Sequence, residues 1–151
     1  MPITLAIESP LTEDATALID GSEAALRAVY TPDECFTFTA DELARPEIDF
    51  FVARKDGEAV GCVAATNYSD YAEVKRLFVS PSGRGLGIAK TLMSELESHA
   101  SAKGFGVVRL ETGEKLEAAV ALYKKLGYVV RGPFGDYEEH PASLFMEKPL
   151  T

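Results

Sequence analysis

The strongest chemical signal in the chain is one turn. Arg84-Gly85-Leu86-Gly87-Ile88-Ala89-Lys90 lies between a strand pattern and a helix pattern. The start of a helix offers backbone N–H groups with no intrahelical partner and about half a positive charge. Glycines ahead of it let a ligand reach that backbone. A phosphate group suits such a place. Arg84 adds a cation, and Lys90 adds another one helical turn further on. Two common phosphate loops do not fit. A P-loop reads Gly-x-x-x-x-Gly-Lys-Ser/Thr; counted back from Lys90-Thr91, its glycine positions hold Arg84 and Ala89. A dinucleotide fingerprint begun at Gly85 needs a further glycine where Lys90 stands, and begun at Gly83 it meets Ile88. Such a fingerprint also follows the first strand of a βαβ unit.

The elements that must hold this turn can be read from periodicity and turn residues. Ile3 to Glu8 is a short strand, ended by Ser9-Pro10. Thr12 caps a long amphipathic helix with Ala15, Leu18, Ile19, Ser22, Leu26 and Val29 on one face; Gly21 is a point of interruption and Pro32 its end. Thr39 to Glu42 has capping-box spacing for a short second helix. Phe50 to Ala53, Val60 to Thr66 and Glu73 to Val79 form a meander, its first two strands joined at Asp56-Gly57. A helix from about Ile88 to Lys103 follows the turn, then a strand at Val107–Glu111, a helix at Leu116–Leu126 with Gly127 at its C-cap, and strands at Tyr128–Arg131 and Leu144–Glu147. The order β-α-α-β-β-β-α-β-α-β-β implies an α/β fold of the α+β type. It has a mixed, mostly antiparallel central sheet of about seven strands with helices on both faces.

The chain has 151 residues, enough for one domain spanning 1–151, and 46% of them are hydrophobic, so a core can form. No apolar run approaches a membrane span, and the N-terminus lacks a signal-peptide pattern, so the expected compartment is cytoplasmic. Cys35 and Cys62 lack metal-ligand spacing, and His99 and His140 have no Cys/His cluster around them; no metal site is expected. The net charge is −9. Residues 1–70 carry 14 acidic and 4 basic side chains, and residues 71–151 carry 10 and 11. The acidic half disfavours nucleic acid and anionic membranes, while the near-neutral half accepts an anionic ligand.

Arg84, Gly87 and Ala89 fit Arg-x-x-Gly-x-Ala. Downstream stands Ala119-Val120-Ala121-Leu122-Tyr123-Lys124-Lys125-Leu126-Gly127-Tyr128. The first resembles the pyrophosphate-binding motif of the GCN5-related N-acetyltransferase (GNAT) superfamily, and the second its Ala-x-x-Leu-Tyr-x-x-x-Gly-Phe/Tyr segment. The distance between them and the element order are similar to the superfamily's over nearly the whole chain. Leu110-Glu111-Thr112-Gly113, Gly132-Pro133-Phe134-Gly135-Asp136-Tyr137 and Ser143-Leu144-Phe145-Met146-Glu147-Lys148 resemble a bacterial subgroup of small acetyltransferases with small-molecule assignments. In one respect the chain departs: many members have an Asn seven residues before the helical Tyr, touching the CoA arm, and here that position is Leu116.

The resemblance implies an enzyme that moves an acetyl group from acetyl-CoA to a primary amine of a small molecule or peptide, by direct attack in a ternary complex. It implies that the strand before the motif parts from its neighbour at a bulge. The pantetheine arm would pair there with the backbone of Leu77, Phe78 and Val79, one N–H facing the thioester oxygen. The pyrophosphate would lie on Arg84, Gly85, Leu86, Gly87, Ile88, Ala89 and Lys90. Tyr123 would protonate the departing thiolate; by helix periodicity alone, on a face with Leu116, Ala119 and Val120, it reads as core. Glu73, at the start of its strand, would be the general base; by position alone it reads as a solvated strand-end charge. Phe36, Phe38, Phe134 and Tyr137 would line the acceptor pocket, and Lys75 and Arg76 would favour an acceptor with a carboxylate. Family members are often homodimers. The alternative function is a non-catalytic acyl-CoA-binding or sensor domain on the same fold, since a binding motif reports binding before chemistry.

Overall fold

The structure, a computed structural model, describes residues 3–35 and 37–150. Seven strands form one sheet in the order β1-β2-β3-β4-β5-β7-β6. They are β1 (Ile3–Ile7), β2 (Ile48–Lys55), β3 (Glu58–Asn67), β4 (Ala72–Val79), β5 (Val107–Thr112), β6 (Val129–Arg131) and β7 (Leu144–Pro149). Only the β4–β5 pair is parallel; the others are antiparallel. The helices are α1 (Glu13–Arg27), α2 (Ala40–Leu43), α3 (Ile88–Ala102) and α4 (Glu117–Lys125).

Strand alternation distributes the apolar residues to two cores. Phe50, Val52, Cys62 and Ala64 meet Ala15, Leu18 and Ile19 of α1 and Leu43 of α2. Phe51, Ala53, Val63 and Ala65, one residue out of step, meet Ile88, Leu92, Met93 and Leu96 of α3. Helices therefore cover both faces of the sheet. Asp56 and Gly57 both have positive φ, 51° and 87°, the backbone of a primed two-residue hairpin turn.

The expected interruption of α1 at Gly21 does not occur; the helix runs unbroken from Glu13 to Arg27. The reason is packing. A Cβ at Gly21 would stand 2.8 Å from Cε2 of Phe78, so the glycine lets α1 approach β4. The helix also stops short of Pro32, which opens a separate short 3-10 turn through Glu34.

A bulge in β4 shapes the functional end of the sheet. Ala64 pairs with Lys75 but Cys62 pairs with Phe78, so β4 carries one residue more than β3 across this step. Arg76 takes up the extra residue with φ 56°. Upstream, Glu73 and Lys75 stand opposite Thr66 and Ala64 on the α1 face. Regular alternation would continue that face to Leu77 and Val79. The extra residue instead gives it to Phe78 and turns Leu77 and Val79 toward the α3 core. The Arg76 guanidinium holds the bulge to α1. It donates to Ser22 Oγ at 3.3 Å, Glu23 Oε2 at 2.8 Å and the Phe38 carbonyl at 3.1 Å.

Candidate active site

β4 and β5 pair only from Ala72–Val108 to Val74–Leu110. Beyond these residues the two strands part, as the resemblance implies. The gap is a cavity of about 190 Å³. Leu77 and Phe78 line it from β4, Glu111 and Thr112 from β5, and Leu116 and Tyr123 from α4 and its cap. The β4 backbone along this stretch has a partner strand on the β3 side alone, so its other edge is open to an extended ligand.

The Arg84–Lys90 turn follows at the end of β4. Gly85 and Gly87 have φ of 80° and 72°, and Gly87 is the N-cap of α3. A Cβ at either would meet nothing within 4 Å, so backbone conformation, not crowding, demands glycine, and the space before the turn is open. Gly87 brings no capping side chain, and no acidic residue stands in the first turn of α3. The first backbone bond into the helix is Thr91 N–H to the Gly87 carbonyl. Among the described residues the amides of Gly85 to Lys90 have no acceptor, and Arg84 and Lys90, both exposed, make no ion pair. Such a turn is prepared for a polyanion. Gly83 is set differently: a Cβ there would stand 2.9 Å from Val60 Cβ, so the turn packs flat on β3.

Arg84→Glu would place a like charge where this turn is built to take a polyanion. A charged hydrogen bond contributes about 1.5–3 kcal/mol, so the Kd for acetyl-CoA should rise at least about tenfold in titration calorimetry. An unchanged Kd removes Arg84 from the binding site.

Tyr123 lies in the core and at the gap at once. It is 6% exposed, packs edge-on against Tyr128 with ring centroids 5.8 Å apart, and lines the cavity. Its hydroxyl has no hydrogen-bond partner among the described residues. Burial, and then the charge of Glu111, push its pKa well above the usual tyrosine value, so the hydroxyl keeps its proton throughout the physiological range. Leu116, where the family pattern has Asn, caps α4 without a side-chain hydrogen bond and adds an apolar wall to the cavity.

Glu73 is not a solvated strand end. It is 2% exposed, accepts a hydrogen bond from the Tyr137 hydroxyl at 2.6 Å, and pairs with Lys75 Nζ at 3.1 Å. Lys75 also donates to the Tyr137 hydroxyl and stands over the rings of Phe38 and Tyr137, 4.7 and 5.1 Å from their centroids. Burial, and then the charge of Glu73, hold the Tyr137 hydroxyl protonated far above its usual range.

Glu73, Lys75 and Tyr137 face a second cavity of about 670 Å³, which shares Thr37 and Lys75 with the gap as a common wall. Phe38 lines it too. Phe134 does not; it lies beneath, buried against Tyr71, Tyr137 and Phe145. Phe36 lies outside the described residues. Arg76 does not reach this cavity, because its charge is taken up by Glu23 on α1.

One residue in the gap carries no role that the sequence or the resemblance implies. Glu111 is the second-last residue of β5, on the face opposite Leu110, and Ser143 beside its carboxylate favours the anion. Burial is the main cause that lifts its pKa from 4.5 to about 7. The available signal was topological: the carboxyl ends of adjacent parallel strands are where α/β sheets place ligands.

Residues 15–128 match the model of the acetyltransferase (GNAT) family. The chain is 42% identical over 150 residues to an IAA acetyltransferase of Azospirillum brasilense, covering 98% of both chains. It is 33% identical over 122 residues to the uncharacterised N-acetyltransferase YsnE of Bacillus subtilis, covering 79% of this chain and 81% of that one. A Klebsiella pneumoniae structure described as an acyl-CoA N-acyltransferase superposes with a TM-score of 0.84 at 31% identity, over 99% of this chain and 98% of that one. A PaiA N-acetyltransferase from Thermoplasma acidophilum, solved with coenzyme A, shares the fold with a TM-score of 0.74 at 20% identity, over 99% of each chain. A parted strand pair beside a glycine-capped helix start, in a chain matched by this family model over most of its length, means that the protein belongs to the GNAT family of acetyl-CoA-dependent N-acetyltransferases.

Proposed function

We propose that the enzyme acetylates a primary amine carried by a small molecule, and that acetyl-CoA reaches it along the open edge of β4. The observation that carries this reading is the junction of two cavities at Thr37 and Lys75, one between the parted strands and one walled by aromatic and charged side chains. Its volume of about 670 Å³ lies within the range typical of small-molecule pockets, about 300–1,000 Å³.

The backbone of Leu77, Phe78 and Val79 takes the pantetheine arm, and one of its N–H groups faces the thioester oxygen as charge develops there. The free amides from Gly85 to Lys90, with Arg84, hold the pyrophosphate. Tyr123 gives its proton to the departing thiolate. Glu73, the base that the resemblance implies, and Glu111 supply the negative charge that draws the acceptor's ammonium toward the gap. Lys75 is already paired with Glu73, so it contributes little toward an acceptor carboxylate. Among the described residues no helix is long and apolar enough to cross a membrane, and Cys35 and Cys62 are both free thiols. A cytoplasmic enzyme fits both features.

The test is thiol release from acetyl-CoA with a panel of acceptors. The panel comprises aliphatic monoamines, aromatic amines, amino acids, an N-terminal peptide, and IAA, the acceptor in the name of the 42% identical relative. Release that depends on a small primary amine is the expected result. Release driven only by the peptide, or only by IAA, contradicts the assigned acceptor class.

A further inference from the structure

We propose that Glu111, and not Glu73, takes the proton from the acceptor's nitrogen; this rests on the amine-acetylation reading above. Three observations carry it. The first is position. Glu111 follows directly on Leu110, the last β5 residue paired with β4, so its carboxylate stands where the strands part. It lines the same cavity as Tyr123 and Leu77. Glu73 lines the adjoining cavity instead.

The second is what each carboxylate already does. Oε2 of Glu73 receives both the Tyr137 hydroxyl and Lys75. Protonating Glu73 would leave the Lys75 cation, 7% exposed, without its paired anion, which is costly in a buried site. Ser143 stands beside Glu111, which among the described residues makes no salt bridge. It can change charge without breaking an ion pair.

The third is its surroundings. Lys75 and Arg76 line its cavity from β4, Tyr123 from α4, and Tyr30, Glu34 and Cys35 from the segment after α1, while Glu73 and Tyr137 stand across the wall in the adjoining cavity and Ser143 lies beside it in the β6–β7 connection. Burial opposes the anion most, Ser143 and then Lys75 favour it, and Glu73 opposes it. The outcome, a pKa of about 7, is near optimal for a base working at neutral pH.

The step balances as follows. Glu111 accepts one proton from R–NH3⁺ and later releases it to solvent. The neutral nitrogen attacks the thioester carbon, a C–N bond forms, and the carbonyl π pair moves onto oxygen. On collapse that pair re-forms C=O and the C–S bond breaks. Sulfur leaves with its pair and takes the Tyr123 proton. The second proton on nitrogen restores the Tyr123 hydroxyl.

The experiment compares Glu111→Gln and Glu73→Gln with the wild type. Profiles of kcat/KM against pH are recorded with the amine that the acceptor panel identifies. Glu111→Gln should lower kcat/KM by about 10²-fold at neutral pH, with the deficit closing as pH rises and the Kd for acetyl-CoA nearly unchanged. Glu73→Gln should keep the acidic limb and move it to lower pH, because the Glu73 charge is one of the causes that raise Glu111. An unchanged profile in Glu111→Gln, or loss of the limb in Glu73→Gln, overturns the assignment alone. Failure of every amine to drive thiol release overturns the acetylation reading with it.

A second readout needs no acceptor. A carboxyl raised from 4.5 to about 7 on folding gives stability present below pH 4.5 and lost as pH rises through about 7. Glu111→Gln should therefore exceed the wild type in Tm by a growing margin across that window. A margin that stays constant with pH contradicts the titration of Glu111.

Discussion

Tyr123→Phe should lower kcat by about 10²–10⁴-fold, the usual range for losing a general acid, while the Kd for acetyl-CoA stays within about a factor of two. In the proposed role the hydroxyl acts on a charge that exists only while the thiolate departs, so its loss falls on turnover and not on binding. Phenylalanine keeps the ring against Tyr128. The lost hydroxyl has no hydrogen-bond partner among the described residues, so no protein group is stranded and little stability should change. The raised pKa of Tyr123 adds a further expectation: its own ionisation should produce no limb in the physiological pH range. Saturating thiol-release rates and calorimetry, read together, make the check. A variant that turns over within twofold of the wild type makes Tyr123 a packing residue.

Glu73→Leu should destabilise the fold by about 3 kcal/mol, the lower end of what breaking a buried ion pair costs. For a chain of this size that is a fall in Tm of roughly 6–12 °C. The change removes the paired anion of Lys75, which is 7% exposed, and the acceptor for the Tyr137 hydroxyl. Glu73→Gln, which keeps an acceptor oxygen, should lose less. Adding Lys75→Met to Glu73→Leu should recover much of the stability, because the broken ion pair and not the missing contact is the larger cost. Thermal unfolding of the wild type, Glu73→Leu, Lys75→Met and the double variant at one pH closes the cycle. A single Leu variant as stable as the wild type would mean that Lys75 gains nothing from the pair.

What could be read from the sequence was what is local in the chain. The Gly85 and Gly87 turn is legible because its positive φ demands glycine and its helix start lies within a few residues. The strands and helices are legible because their apolar periods are regular. Gly21 is illegible locally because its purpose is non-local; helix propensity argues for a break, and the ring of Phe78 from β4 supplies the reason for the glycine. The bulge at Arg76 was implied by resemblance, but the sequence does not show which residue takes the left-handed backbone or that Ser22 and Glu23 would hold its side chain. Glu73 looked solvated because its partner Tyr137 is 64 residues away. Glu111 is not legible in the sequence, because its environment is assembled from β4, α4 and the β6–β7 connection, and no single window of the chain contains them.

The central claim is that the acetyl group passes directly from CoA, lying between β4 and β5, to an amine arriving from the adjoining cavity. Cys35 lines the gap and is the one side chain there that offers a thiol for an acetyl-enzyme route, although burial, then the charge of Glu23, raise its pKa and weaken it as a nucleophile. The deciding measurement is initial-rate kinetics with acetyl-CoA and the amine both varied, joined to the intact mass of the protein after incubation with acetyl-CoA alone. Direct transfer predicts intersecting double-reciprocal lines and an unmodified chain. Parallel lines with an acetylated chain that passes its acetyl group to the amine would contradict the account.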